Sequence, residues 1–165
     1  MDHIFWVVPN LLAGRCGPNE QPWRLKHLRQ SGFGAVLSVN DGELCRPEDF
    51  AAGGLAYACI PLSRNAPPCD GDLEYCLGVL PAALAFVEGN IRQRIPVLVH
   101  CSAGKDRTGL FMACYLMECE GCSIQQAMER VRTVRSIAFT AEGWDDFAFR
   151  VLSAVKADPS LQRTR

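Results

Sequence analysis

Short β-branched runs that alternate with helical stretches predict an α/β fold. So does one nine-residue segment set between a strand and a helix. The expected architecture is a three-layer sandwich, in which helices flank a central, largely parallel sheet. Strand signals stand at Phe5-Trp6-Val7-Val8, Leu11-Leu12-Ala13, Ala35-Val36-Leu37-Ser38-Val39, Leu55 to Ile60 and Val97-Leu98-Val99. No internal repeat or low-complexity linker divides the 165 residues, which suit one domain over 1–157 and a frayed tail over 158–165.

Each element has a local reason. Pro9-Asn10 separates the first two runs into a hairpin or strand pair. Pro22 to Gln30 reads as a helix stopped by Gly32, and Asn40-Asp41-Gly42 ends the strand that begins at Ala35. Pro61 closes the strand from Leu55. Leu73, Cys76, Leu77, Leu80, Leu84 and Val87 share one helical face, with a kink expected at Pro81. The apolar run Leu110 to Met117 is too continuous for a surface helix, and Gly121 ends it. Ser123 and Gln126 form a capping box ahead of Ile124, Ala127, Met128 and Val131. Trp144, Phe147, Ala148, Val151 and Leu152 make the last apolar stripe.

Composition narrows the function classes. Hydrophobic residues are 48% of the chain and charged residues 21%, as in a folded domain. A formal net charge of −1 gives no bulk attraction to nucleic acid or to a membrane surface. No apolar stretch approaches the roughly 18 residues of a membrane span, so no integral membrane association is expected. Met1-Asp2-His3-Ile4 lacks the basic flank and apolar core of a signal segment, which points to the cytoplasm. The nine cysteines are an odd, irregularly spaced set, several of them inside apolar runs, and read as small hydrophobes rather than a disulfide framework. Cys119-Glu120-Gly121-Cys122 has no second pair and no downstream His, so a helix end is preferred to a zinc site. No cofactor or metal is expected.

The chemistry concentrates in His100-Cys101-Ser102-Ala103-Gly104-Lys105-Asp106-Arg107-Thr108. A loop from strand to helix turns several backbone N–H groups inward at the positive end of a helix dipole, a socket for a tetrahedral anion. A helix N-terminus and nearby cations lower a cysteine pKa from about 8.5 to roughly 3.5–7.5. Cys101 is therefore expected to be a thiolate able to attack phosphorus. Arg107 offers a planar fork for two phosphoryl oxygens. The backbone of Ser102, Ala103, Gly104, Lys105, Asp106 and Arg107 faces the remaining oxygens. Gly104 permits dihedrals that side chains resist, and Thr108 can donate to the Cys101 sulfur or cap the helix. His100 is read as an orienting group beneath the loop.

This segment, extended by Gly109, resembles the signature loop of the cysteine-dependent phosphatases, nearest the compact dual-specificity and bacterial tyrosine-phosphatase-like branch. The resemblance implies a phosphotyrosine-phosphatase-like fold and metal-independent hydrolysis of phosphotyrosine, phosphoserine or phosphothreonine through a phosphocysteine. It also implies an aspartate soon after the second catalytic strand, to protonate the leaving oxygen and then activate water. Here Pro61-Leu62-Ser63-Arg64-Asn65-Ala66-Pro67-Pro68 has no carboxylate. Asp70 stands at a family-like spacing before Cys101 and also suits a helix N-cap; Asp72 shares that ambiguity. Asp106, inside the loop, matches bacterial relatives, some acting on phosphoinositides, in which a loop aspartate replaces the missing acid, and it also suits a loop-holding salt bridge.

Partners follow from the same residues: a phosphorylated protein or a phosphoinositide. Lys105 faces either a second phosphate or solvent. Arg64, Arg15 and Arg46 are placed on the rim, and Arg130, Arg132 and Arg135 on an exposed helix face. No segment deepens the slot as in larger tyrosine-specific enzymes. Two other classes use comparable features: rhodanese-type sulfurtransferases (with the related arsenate reductases) and non-catalytic phosphoprotein-binding modules. Oxidation of Cys101 with trapping by Cys45 or Cys59 is a further expectation.

Overall fold

A computed structural model of the chain describes residues 3–43 and 45–158. Its strands are β1 (Phe5–Val8), β2 (Leu12–Cys16), β3 (Ala35–Ser38), β4 (Ala56–Cys59) and β5 (Val97–Cys101). They form one sheet in the order β1-β2-β5-β3-β4. β1 and β2 pair antiparallel, while the β2–β5, β5–β3 and β3–β4 pairs are parallel. The helices among the described residues are α1 (Leu25–Gln30), α2 (Pro47–Ala52), α3 (Asp72–Arg92), α4 (Asp106–Glu120), α5 (Ile124–Val134) and α6 (Trp144–Ala157).

Every residue of β5 is buried. A strand covered on both faces has no need of polar alternation, which is why Val97-Leu98-Val99 reads as a continuous apolar run. Val97, Val99 and Cys101 face a core shared with α3, α4, α5 and α6. Leu98 faces the opposite core, with Ala13, Leu28, Phe33, Val36, Phe50 and Leu55, under α1 and α2. The result is the expected α/β sandwich.

Parallel pairing also brings the carboxyl ends of four strands together. Cys16 lies opposite Cys101, Ser38 opposite His100 and Cys59 opposite Ser38. The loops after β2, β3, β4 and β5 therefore converge at one edge, where sheets of this kind place their ligands.

Several boundaries differ from the sequence reading. α1 begins at Leu25 rather than Pro22, because Trp23 is drawn edge-on to Phe50 and His100 and Arg24 stays extended. α2, opened by Pro47 and held by the buried Phe50, has too little apolar periodicity to stand out in sequence. α3 runs through Pro81 to Arg92, with Leu80, Ala83, Leu84 and Val87 buried on either side of the proline. The Ser123–Gln126 capping box forms as expected, and Gly121 ends α4 with φ of 72°. Of the tail expected over 158–165, only Asp158 is among the described residues.

Candidate active site

Cys101 ends β5 and is buried, and the Thr108 hydroxyl donates a hydrogen bond to its sulfur at 3.1 Å. Between them the chain turns through Ser102–Lys105 into the 15-residue α4. Gly17 N–H donates to the Ser102 carbonyl at 2.6 Å. Arg135 Nε donates to the Gly104 carbonyl at 3.1 Å, and its Nη2 to the Ala103 carbonyl at 2.9 Å. In a trans peptide the carbonyl and the following N–H point opposite ways. Holding these three carbonyls outward thus turns the amides of Ala103, Gly104 and Lys105 to the inner side. Gly104 has φ of 61°, and a Cβ there would stand 2.3 Å from the Arg15 carbonyl oxygen, so the loop can close against β2 only with glycine.

A cavity of about 420 Å³ opens over this loop. Cys101, Ser102, Ala103, Lys105, Asp106 and Arg107 line it from α4 and its approach, Asn40, Asp41 and Glu43 from the β3 loop, and Arg64 and Ala66 from the β4 loop. The Arg107 Cζ lies 4.3 Å from the Trp144 ring. Its Nε donates to the Ser63 carbonyl at 2.9 Å and its Nη2 to the Asn65 carbonyl at 3.0 Å. Trp144 Nε1 donates to that same Asn65 carbonyl at 2.9 Å. The wholly buried Trp144 therefore backs the guanidinium and shares its acceptor.

Asp72 folds the segment that carries these carbonyls. It accepts from Cys69 N–H at 2.7 Å and from the Asn65 amide at 2.9 Å. Burial presses its carboxyl upward, but the Cys69 N–H, the Asn65 amide and the Ser63 hydroxyl together hold it below the ordinary carboxylate range. Asp70 is exposed and stands outside the residues that line the cavity. Asp106 is 2% exposed; Oδ1 accepts from Ala141 N–H at 3.1 Å, and Oδ2 lies 3.7 Å from Lys105 Nζ. Lys105 Nζ also donates to the Thr140 hydroxyl at 3.1 Å.

His100 lies on the far face of the sheet, fully buried. Its Nε2 is hydrogen-bonded with the Ser38 hydroxyl at 2.5 Å, and Ser38 in turn with the Tyr57 hydroxyl at 2.9 Å. Burial pushes the imidazole pKa down to about 4; its hydrogen bond with the Cys101 carbonyl opposes this, and the Arg15 cation adds to it. At neutral pH the ring is uncharged and anchors β5 from below.

Three arginines are placed otherwise than expected. Arg15 is not on the rim: it is buried on the His100 side, donating to the Cys16 and Gln21 carbonyls and lying over Trp23. Arg46 pairs with Glu48 on the surface. Arg135 is not a solvated helix residue but the clasp of the loop. Sequence gave no local sign of this, since Arg135 is 31 and 32 positions from the carbonyls that it holds. Trp144 was legible only as part of an apolar stripe, and Asp41 only as a strand terminator. Cys16, not Cys45 or Cys59, is the cysteine in register with Cys101.

A mostly parallel sheet with a buried cysteine under an anion loop defines the tyrosine-phosphatase class of fold. The crystal structure of Tk-PTP in its active form has that fold: it superposes with a TM-score of 0.73 at 21% identity, covering 92% of this chain and 97% of its own. In sequence, the family described as dual specificity phosphatase, catalytic domain, matches residues 20–145, and the chain belongs to it. It is 29% identical over 143 residues to dual specificity protein phosphatase 12 of Mus musculus, covering 87% of this chain and 39% of that protein. It is 26% identical over 110 residues to phosphatidylglycerophosphate phosphatase PTPMT2 of Arabidopsis thaliana, covering 66% of this chain and 46% of the relative. The chain thus spans less than half the length of these curated relatives.

Proposed function

We propose that this domain hydrolyses phosphomonoesters of proteins, phosphotyrosine first and phosphoserine or phosphothreonine second, through a phosphocysteine on Cys101. The observation that carries this reading is the Cys101 sulfur beneath the cavity, hydrogen-bonded by Thr108 at the N-terminus of α4. The sulfur attacks phosphorus in line with the ester oxygen. The inward amides, the α4 dipole and Arg107 meet the equatorial oxygens as charge spreads over them. Arg107 stands ready beside the cavity, backed by Trp144, and engages two oxygens by leaving the loop carbonyls that now hold it. Asp106 holds the start of α4 to the Ala141 segment, since both of its oxygens are engaged and its side chain is buried.

The reaction needs no metal in this reading, because Arg107 and backbone N–H groups take the role of a cation on the phosphoryl group. Nine free cysteines support a reducing compartment such as the cytoplasm. No helix among the described residues is long and apolar enough to cross a membrane. Phosphoinositide headgroups are the second reading, favoured by Lys105 and Arg64 on the cavity wall.

The test is release of phosphate from para-nitrophenyl phosphate, phosphopeptides and short-chain phosphoinositides, with EDTA present and with Cys101→Ser as control. Hydrolysis of the peptides, abolished in the variant, is expected. Thiocyanate formed from thiosulfate instead would point to a sulfurtransferase, and a phosphopeptide held intact by the wild type to a binding module.

A further inference from the structure

We propose that Asp41, in the loop after β3, is the acid–base residue of this site. The inference rests on the phosphomonoesterase reading above and supplies the carboxylate that residues 61–68 after β4 lack.

Asp41 lines the cavity together with Cys101 and Arg107. Its Oδ1 accepts from the Asn19 amide, while its Oδ2 is buried with no hydrogen-bond partner among the described residues. A Cβ on Gly17 would stand 2.2 Å from that Oδ2 and 2.6 Å from the Cys101 carbonyl oxygen. Both oxygens therefore border the point, at the start of the phosphate loop, that a side chain at 17 would fill. Glycine at 17 is what admits the carboxylate there. Asp41 has φ of 60°, a left-handed backbone that aspartate and asparagine adopt more readily than most side chains.

The other carboxylates nearby are engaged or lie off the cavity wall. Glu43 pairs with Arg64, Asp106 gives its oxygens to Ala141 and Lys105, and Asp70 lies outside the cavity wall. Asp41 is the carboxylate on that wall that pairs with no cation among the described residues and keeps an oxygen uncommitted.

The chemistry balances with this one group. In the first step the Cys101 sulfur bonds to phosphorus and the ester P–O bond breaks. The Asp41 carboxyl proton passes to the departing oxygen, which leaves as an alcohol or phenol. In the second step a water oxygen bonds to phosphorus while Asp41 takes its proton. The S–P bond breaks, its electron pair returns to sulfur, and inorganic phosphate leaves.

Asp41→Asn is the test, since asparagine tolerates the same left-handed backbone. First-turnover rates on para-nitrophenyl phosphate and on phenyl phosphate are compared for wild type, Asp41→Asn, Asp106→Asn and Cys101→Ser. The loss of Asp41→Asn on para-nitrophenyl phosphate is expected to be much smaller than on phenyl phosphate, because that leaving group departs readily without a proton, and a wild-type denaturant midpoint for the variant shows a folded domain. On phenyl phosphate the rate is expected to fall about 100-fold or more. Full rate on both substrates overturns the proposal, and so does an equal loss on both. Activity surviving in Cys101→Ser would instead sink the phosphomonoesterase reading beneath it.

Discussion

Acid should loosen this fold from beneath the loop, through His100. The ring is fully buried, and its pKa falls from 6.5 to about 4 on folding. As pH drops, the unfolded chain takes up the imidazole proton before the folded one does. The stability contributed by the neutral ring is present in full above about pH 6.5 and is lost as pH falls toward about 4, with little further loss below. At roughly 1.4 kcal/mol per pH unit, that gap amounts to about 3 kcal/mol. This is a large share of the roughly 5–15 kcal/mol that a domain of this size has in total. The assay is denaturant unfolding of wild type and His100→Asn at about pH 7 and about pH 4. Removing the titrating ring should narrow the stability difference between the two proteins by about 3 kcal/mol across that interval. A difference that stays constant with pH would refute the reasoning, since the acid loss would then lie elsewhere.

Substitutions at three positions probe the loop and its arginines. Trp144→Phe keeps a ring behind Arg107 and should cost little in kcat/KM on para-nitrophenyl phosphate. Trp144→Leu removes ring and N–H together and should cost about 2- to 30-fold, the range of a cation–π contact of roughly 0.5–2 kcal/mol; equal losses would contradict the stacking role. Gly104→Ala places a Cβ 2.3 Å from the Arg15 carbonyl oxygen at a φ of 61°, so denaturation should show a loss of at least about 1–3 kcal/mol, with activity abolished. Arg135→Met releases the Ala103 and Gly104 carbonyls, each bond from a charged donor being worth about 1.5–3 kcal/mol. It should lower kcat by at least tenfold and weaken vanadate binding, whereas Arg135→Lys, lacking the planar fork, should rescue only in part.

Much of the fold could be read from the chain because its signals are local. β5 is a β-branched run covered on both faces, and α4 is apolar around its whole circumference, with ten consecutive residues from Thr108 to Met117 buried. The capping box at Ser123 is written within four residues. The same holds for the Cys101–Thr108 loop, whose parts are contiguous. What remained hidden depends on non-local packing. Arg135 reaches the loop only because α5 packs on α4, and Trp144 reaches Arg107 only because α6 lies against α3 and α4. Asp41 looks like one residue of a turn until parallel pairing sets the ends of β3 and β5 side by side. α2, six residues with one buried side chain, has no pattern to detect.

Trapping the intermediate is the most direct measurement of all. Wild type mixed with para-nitrophenyl phosphate and quenched in acid within one turnover should carry a single phosphoryl group, mapped by mass spectrometry to the peptide containing Cys101 and absent from Cys101→Ser. Turnover with no phosphoryl group ever found on that sulfur, or with the group on another residue, would contradict covalent catalysis at the head of α4.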